Sequence, residues 1–336
     1  ITQYNALWEP VLRLASRLGL RVPNVEQNWL SPQDLRNFAH LAGLEVVKFG
    51  TKMLLPLDLP LISGFFNRFL ANIFPFSKLG LFHYLVLRKR EKLPIPNPSI
   101  SIVVPARNEK GTIEQIAREL PSLGSFTEVI FIEGNSTDDT WMEVQRVAKL
   151  NLPGKKLSCA QQEGKGKGDA VRLGFEMATG DILTIYDADM TVPAADMAKF
   201  YRAIVENRGD FINGSRLVYP LEKESMRLLN FFGNKFFSLM FSWILGQPLK
   251  DTLCGTKVIW RTDYESVKKG RAFFGDFDPF GDFDLLFGAA KLNLKIIDLP
   301  IRYGERVYGQ TNISRWSHGW LLLQMTIFAA RKIKFI

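Results

Sequence analysis

Two carboxylates one residue apart, Asp187 and Asp189, follow the apolar run Ile182-Leu183-Thr184-Ile185. A run of that length and β-branching reads as a buried strand. Open α/β sheets present side chains to a crevice at their strand ends. Side chains alternate along an extended chain, so both carboxylates are expected on one side. Two hard oxygen donors suit Mg²⁺ or Mn²⁺, with the remaining ligands drawn from water and a substrate diphosphate. Two further Asp-x-Asp spacings occur, Asp276-Phe277-Asp278 and Asp282-Phe283-Asp284. Only the first follows an apolar strand and the helix-ending turn Ala178-Thr179-Gly180-Asp181. Asp276 and Asp278 read as loop residues.

Glu163-Gly164-Lys165-Gly166-Lys167-Gly168-Asp169 opens a helix that runs to about Gly180. Its glycines let backbone approach a ligand, and helix N–H groups with Lys165 and Lys167 can meet an anion. The Gly-Lys-Ser/Thr ending of a Walker loop is absent. Arg216, after the strand end Ile212-Asn213-Gly214-Ser215, and Arg227 carry guanidinium forks that suit phosphate geometry.

The chain has 336 residues, 46% hydrophobic and 23% charged, enough for a sizeable core. A formal charge of +9 favours anionic partners such as nucleotides, lipid phosphates or an anionic membrane surface. No nucleic-acid module signature is present. Two cysteines, Cys159 and Cys254, exclude a disulfide framework or a zinc set and point to a reducing compartment. His40, His83 and His318 have no metal-ligand spacing. No stretch offers the ~18–20 apolar residues of a spanning helix, so membrane contact is expected at the surface. Ile1 opens no signal-peptide pattern, and the sequence is expected to be part of a longer chain.

The elements that must hold these residues follow from periodicity. Residues 1–47 read as helices, one with Leu7, Val11, Leu14 and Leu18 at helical spacing, one capped by Ser31-Pro32-Gln33-Asp34, then a strand from Leu44. The Leu- and Phe-rich residues 53–77 read as ordinary core, with a buried cap or a loop touching lipid as the alternative, and Leu81 to Leu87 as a strand. Charged, proline-rich residues 88–98 form the domain boundary. Beyond it, strands at 100–104, 129–132, 158–161 and 182–185 alternate with helices, which predicts a parallel α/β sheet. Residues 231–246 form a helix apolar nearly all round, buried or lipid-facing. Residues 294–301 read as one or two strands, and the tail from His318 as a semi-apolar helix ending in cations.

An ordered set of motifs resembles the inverting GT-A glycosyltransferases of family 2. It comprises Ile102-Val103-Val104-Pro105, Asn108-Glu109, Ser136-Thr137-Asp138, Gly166-Lys167-Gly168, Ala178-Thr179-Gly180-Asp181 and Asp187-Ala188-Asp189. Gly214-Ser215-Arg216, Asp251-Thr252 and Gly255-Thr256-Lys257 narrow the likeness to dolichyl- or polyprenyl-phosphate sugar synthases. The match covers about residues 98–316. It implies an α/β GT-A fold, Rossmann-like, over 96–336.

The resemblance also implies roles. Pro105, Arg107, Glu109, Glu133, Lys167, Asp169 and Asp187 would border the donor nucleotide, and Asp187 and Asp189 would hold the metal. Arg216, Arg227 and Arg306 would grip acceptor phosphate and diphosphate. Gly134 stands where family members carry a second carboxylate. Asp282, at a helix start, would be the base if the acceptor were a hydroxyl; a phosphate acceptor needs none. The implied reaction is metal-dependent sugar transfer from a GDP- or UDP-hexose to a polyprenyl phosphate, on the cytoplasmic membrane face.

Residues 1–95 resemble the C-terminal part of class I S-adenosylmethionine methyltransferases, through Asn28-Trp29-Leu30-Ser31, Leu41-Ala42-Gly43-Leu44-Glu45-Val46 and the His83 to Arg88 strand. The cofactor's glycine-rich loop is missing, so this small α/β segment is expected to be the tail of a fused module. A non-catalytic nucleotide-sugar-binding module attached to a methyltransferase is the reading from another class.

Overall fold

The computed structural model describes residues 1–22, 28–89, 95–216, 228–273, 281, 283–308 and 315–336, without the side chains of 228–231 and 315–318. The chain divides into two compact units, residues 1–91 with 329–336, and residues 92–328.

The first unit holds a three-stranded sheet: β1 (Thr2–Tyr4), β2 (Leu44–Lys52) and β3 (Phe82–Lys89). β3 lies in the middle, antiparallel to both neighbours. The helices Glu9–Arg17 and Pro32–Leu41 form where the spacing places them, but of their expected apolar positions only Leu12 and Leu35 are buried, while Val11, Leu14, Phe38 and Leu41 are exposed. The second starts with a reciprocal cap: Asp34 N–H donates to Ser31 Oγ at 3.2 Å, and Ser31 N–H donates to Asp34 Oδ2 at 2.8 Å. Two further expectations fail here. Thr2–Tyr4 is a strand, because three residues are too few to show a period and only pairing with β3 defines them. Residues 53–77 are not ordinary core: Leu57, Leu61, Phe65, Phe66 and Phe74 are exposed.

The second unit carries a seven-stranded sheet. Its strands are β4 (Ile100–Ala106), β5 (Thr127–Glu133), β6 (Lys155–Gln161), β7 (Ile182–Ile185), β8 (Phe211–Ser215), β9 (Lys257–Trp260) and β10 (Ile296–Pro300). The spatial order is β10-β8-β9-β7-β4-β5-β6. β4 to β7 are parallel, as the alternation predicts, and so are β8 and β10. β9 runs antiparallel between β7 and β8, so the sheet is mixed rather than parallel. Residues 294–301 contribute one strand.

Strand alternation sorts the two faces. Ile100, Ile102, Val104 and Ala106 share one core with Ile113 and Ile116, Val144 and Val147, and Met197 and Phe200. Those pairs come from the helices Ile113–Glu119, Thr140–Ala148 and Met197–Val205. Val103 faces the other way, onto Gly174 of the helix Lys167–Met177; a Cβ there would lie 2.3 Å from a Val103 methyl. On that side Phe175 meets Tyr264 of the helix Arg261–Gly270 edge-on at 4.8 Å. Each such buried side chain contributes roughly 1.5–3 kcal/mol. Helices cover both faces, which leaves the polar loops at the strand ends to make the crevice.

Candidate active site

β7 stops at Ile185, and Asp189 lies in a turn that ends in Met190 with φ +55°. Strand alternation therefore does not reach the two carboxylates; the turn places them. It is held from below by the buried Tyr186, whose hydroxyl donates to the Val192 carbonyl at 2.7 Å. Asp187 Oδ1 sits 2.6 Å from Lys167 Nζ. Asp189 Oδ1 accepts from Thr191 N–H at 3.1 Å and Thr191 Oγ1 at 2.8 Å, and its Oδ2 lies 3.2 Å from Arg306. The same Arg306 donates to Glu109 Oε1. One guanidinium thus joins the loop after β4 to the turn after β7.

The electrostatics divide the pair. Burial raises the Asp187 carboxyl, but Lys167, with Lys257 and Arg216 behind it, holds it below its ordinary value. Asp189 is raised, first by burial and then by the charge of Asp187. For Glu109, burial raises and Arg306 lowers; the balance, with Asp189 adding to the rise, puts it at about 7. Glu109 Oε2 is buried with no hydrogen-bond partner among the described residues. Two carboxylates whose charges oppose each other, with a third beside them, are oxygen donors able to hold a hard dication. Among the described residues there is no closed cluster of three or more metal-ligating side chains, so such an ion would depend on substrate and water oxygens.

The antiparallel course of β9 supplies what sequence reasoning missed. Pairing Thr184 with Val258 brings the start of β9 to the end of β7. Gly255 is therefore pressed against the acidic turn: a Cβ there would lie 2.1 Å from Asp187 Oδ2 and 2.3 Å from Lys167 Nζ. Buried Lys257 lies at the strand's first position and donates to the Cys254 carbonyl. The signal was the Gly-Thr-Lys motif, whose role needs the partner strand.

The remaining expected residues fall into place unevenly. Pro105 is half-buried at the end of β4, and Arg107 is exposed just after it. Gly134 packs on Arg107; a Cβ there would lie 3.3 Å from the Arg107 Cβ, a tight contact that Arg107 would have to relieve. Glu133 is fully buried; it accepts from Ser136 N–H at 2.5 Å and Gln161 Nε2 at 2.7 Å, so one oxygen serves the loop beyond it and the other the neighbouring strand β6. Asp169 Oδ2 accepts from Gly164 N–H at 3.1 Å and so folds the glycine-rich loop back onto its own helix. Gly166, at φ +86°, makes the turn.

Arg216 forms a two-pronged pair with the wholly buried Asp251: Nε to Oδ2 at 2.7 Å and Nη2 to Oδ1 at 2.8 Å. Asn234 Nδ2 adds a third donor to Asp251 at 2.9 Å, and the Arg216 guanidinium stacks 5.1 Å from the Tyr303 ring centre. Asp251 is held far below its ordinary value by these partners despite its burial. Arg216 is thus a positioned cation. Arg227 and Asp282 lie outside the described residues.

Asn234 and Ser238 belong to the helix Leu228–Leu245 and face inward with Phe241 and Ile244, while Phe232, Phe236 and Leu239 form an exposed stripe. That helix is two-faced, not apolar-buried all round. Among the described residues no helix is long and apolar enough to cross a membrane.

A mixed sheet with helices on both faces and an acidic turn at its crevice is the GT-A, Rossmann-like fold. Residues 101–266 match the family model for Glycosyl transferase family 2, and the chain carries a glycosyltransferase domain of that family. It is 30% identical over 219 residues to a dolichol-phosphate mannosyltransferase of Pyrococcus furiosus, covering 64% of this chain and 59% of the relative. It is 26% identical to the low-salt glycan biosynthesis hexosyltransferase Agl6 of Haloferax volcanii, over 66% of this chain and 52% of that one. A dolichyl-phosphate beta-glucosyltransferase of Drosophila melanogaster is 29% identical over 69% of this chain and 74% of its own length. The chain thus spans about half of the Agl6 relative. The glucosyl-3-phosphoglycerate synthase of Mycobacterium tuberculosis, in a complex with Mn²⁺ and uridine diphosphate, shares the fold with a TM-score of 0.50 at 20% identity, over 70% of this chain and 80% of that one.

Proposed function

We propose that this chain transfers a hexose, with inversion, from a nucleotide sugar to a polyprenyl phosphate at the cytoplasmic face of a membrane. The observation that carries the reading is the acidic turn: Asp187 and Asp189, mutually repelling, framed by Lys167 on one side and Arg306 on the other. Two cations and two carboxylates at one crevice suit a diphosphate that arrives with a divalent metal. Asp187 and Asp189 would hold Mg²⁺ or Mn²⁺, which, when bound, neutralises charge on the departing nucleoside diphosphate.

The chain's own residues do the rest. Lys167 lies close enough to Asp187 to meet a diphosphate oxygen. Arg306 would exchange its carboxylate partners for phosphate. An acceptor phosphate oxygen attacks the anomeric carbon while the bond to the diphosphate oxygen breaks, so no side chain need remove a proton. The exposed Phe232, Phe236 and Leu239, on the helix whose Asn234 grips Asp251 and thereby Arg216, give the acceptor's isoprenoid chain a surface to follow. Names of relatives that act on dolichyl phosphate support the same acceptor.

For residues 1–91 we keep the methyltransferase-tail reading. A middle strand antiparallel to both neighbours supports it, and absence of S-adenosylmethionine binding by this chain is expected.

The test is to incubate the protein with Mn²⁺, membranes and a panel of radiolabelled nucleotide sugars, and to extract lipid. Label in the lipid fraction from one donor, lost with Asp189→Ala and retained with Asp282→Asn, is the expected result. Collapse with Asp282→Asn points instead to a hydroxyl acceptor. Metal-dependent turnover unchanged by Asp189→Ala would remove the metal assignment.

A further inference from the structure

The N-terminal unit contains a helical run, residues 62–72, whose amphipathic order is inverted. Its inner face carries Asn67, Ala71 and Asn72. Ala71 and Asn72 are buried, and Asn67 exchanges two 2.8 Å hydrogen bonds with the backbone of Leu55. Ile62, Phe65, Phe66, Phe69 and Ile73 recur at helical spacing on the outside, all exposed. Leu61 just before them is 92% exposed, and Phe74 just after is 71% exposed. A contiguous ridge of that kind on a folded protein marks an interaction surface.

Charge says which. Residues 48–78 and 329–336 hold seven Lys or Arg and one acid, Asp58. The basic tail is tied to the ridge: Arg68 Nε donates to the Phe335 carbonyl at 2.7 Å, and the Phe69 and Phe335 rings lie 5.4 Å apart. Lys78 sits 5.2 Å over the Phe74 ring. Burial chiefly, and then the neighbouring charges of Lys48 and Lys52, bring the Lys334 ammonium down to about 8. A second copy of the ridge would bring the same positive charge against it. An apolar ridge ringed by cations suits a surface that is hydrocarbon beneath and anionic above.

We propose that the ridge from Leu57 to Phe76, with its surrounding Lys and Arg side chains, docks the protein on an anionic lipid bilayer. Phenylalanine and leucine side chains enter the acyl boundary while the cations meet headgroup phosphates. The inference rests on the lipid-acceptor reading for its purpose only, since vesicle binding is measured without donor or acceptor.

The test is co-sedimentation with phosphatidylcholine vesicles with and without phosphatidylglycerol. Binding is expected to need phosphatidylglycerol, to weaken with salt, and to fall about tenfold or more in the double variant Leu61→Ser, Phe65→Ser. Both positions are exposed, so the variant is expected to keep its fold and its nucleotide binding, which serves as the check. Absent binding by the parent protein, or unchanged binding by the double variant, overturns the proposal. So does an equal loss on Phe236→Ser with Leu239→Ser, which would move the contact to the other unit. Hydrogen exchange on the full chain decides the other occupants. Added protection of 62–73 on mixing with vesicles supports the proposal; no added protection with vesicles, or protection that rises with protein concentration in their absence and so shows a second copy on the ridge, overturns it.

Discussion

The two units bury phenylalanine to different extents, the second unit enclosing most of its rings among the described residues but leaving Phe232 and Phe236 exposed on one helix. In the glycosyltransferase unit Phe131, Phe200, Phe211, Phe241 and Phe283 are wholly enclosed; in the N-terminal unit Phe65, Phe66, Phe69 and Phe74 stand outside. The cations differ in the same sense. Arg216 and Arg306 are paired inside with Asp251, Glu109 and Asp189, whereas the seven basic residues of 48–78 and 329–336 share that stretch with a single acid, Asp58. One unit spends its apolar surface on holding a crevice of defined charge. The other leaves it facing outward. The same residue types thus answer to two environments, a protein interior and, on our reading, a bilayer.

Five substitutions would break or sharpen that contrast. Asp189→Ala is expected to lower sugar transfer by about a thousandfold or more, measured as label reaching lipid, since it removes the charge on which the donor depends. Melting should shift little. Asp251→Ala should act on folding instead: it leaves the guanidinium of Arg216 buried without its partner, at a cost of about 3–5 kcal/mol in denaturant melts. Retention of full stability there would show that Arg216 can turn to water.

Paired substitutions test the aromatic contrast directly. Phe241→Ala empties a site between Phe283 and Phe287, whose rings lie 5.2 and 5.5 Å away, and should cost roughly 3–5 kcal/mol. Phe66→Ala should change stability by no more than about 0.5 kcal/mol. Equal effects would mean that the ridge is covered in the folded protein.

A more modest effect than the core substitutions concerns pH. The Glu109 carboxyl rises from 4.5 to about 7 on folding. The folded chain therefore holds that proton more tightly than the unfolded one. The stability this contributes is present below the unfolded value and is lost as pH rises through about 7. Glu109→Gln should remove that loss, so between about pH 5 and 8 the parent should fall relative to the variant by on the order of 1–2 kcal/mol. Parallel curves would place Glu109 in a more solvated setting.

Legibility in the sequence followed the physics of each feature. The parallel strands and their helices were readable because β-branched runs and 3.6-residue periods are local properties, and the Ser31 cap needed only four residues. Glu133 was readable as a carboxylate at a strand end but not as an inward-facing one, because its partners Ser136 and Gln161 belong to the loop beyond it and to the neighbouring strand. Residues 53–77 misled for a related reason. Hydrophobicity alone does not say which side of a helix is covered, and Asn67 and Asn72, the residues that turn the ridge outward, look like surface residues in a list of letters.

By itself the sequence determined the succession of strands β4 to β7, the two acids after β7, the glycine-rich helix start and the basic excess, since each depends on neighbours in the chain. Tertiary structure alone decided that β9 enters backwards, that Gly255 must lack a side chain beside Asp187, and that Arg306 spans from Glu109 to Asp189 across 117 residues of intervening chain to the nearer acid. Those facts depend on which strand lies next to which. Pairing at a distance is set by the total burial of the fold, which no local window of residues contains.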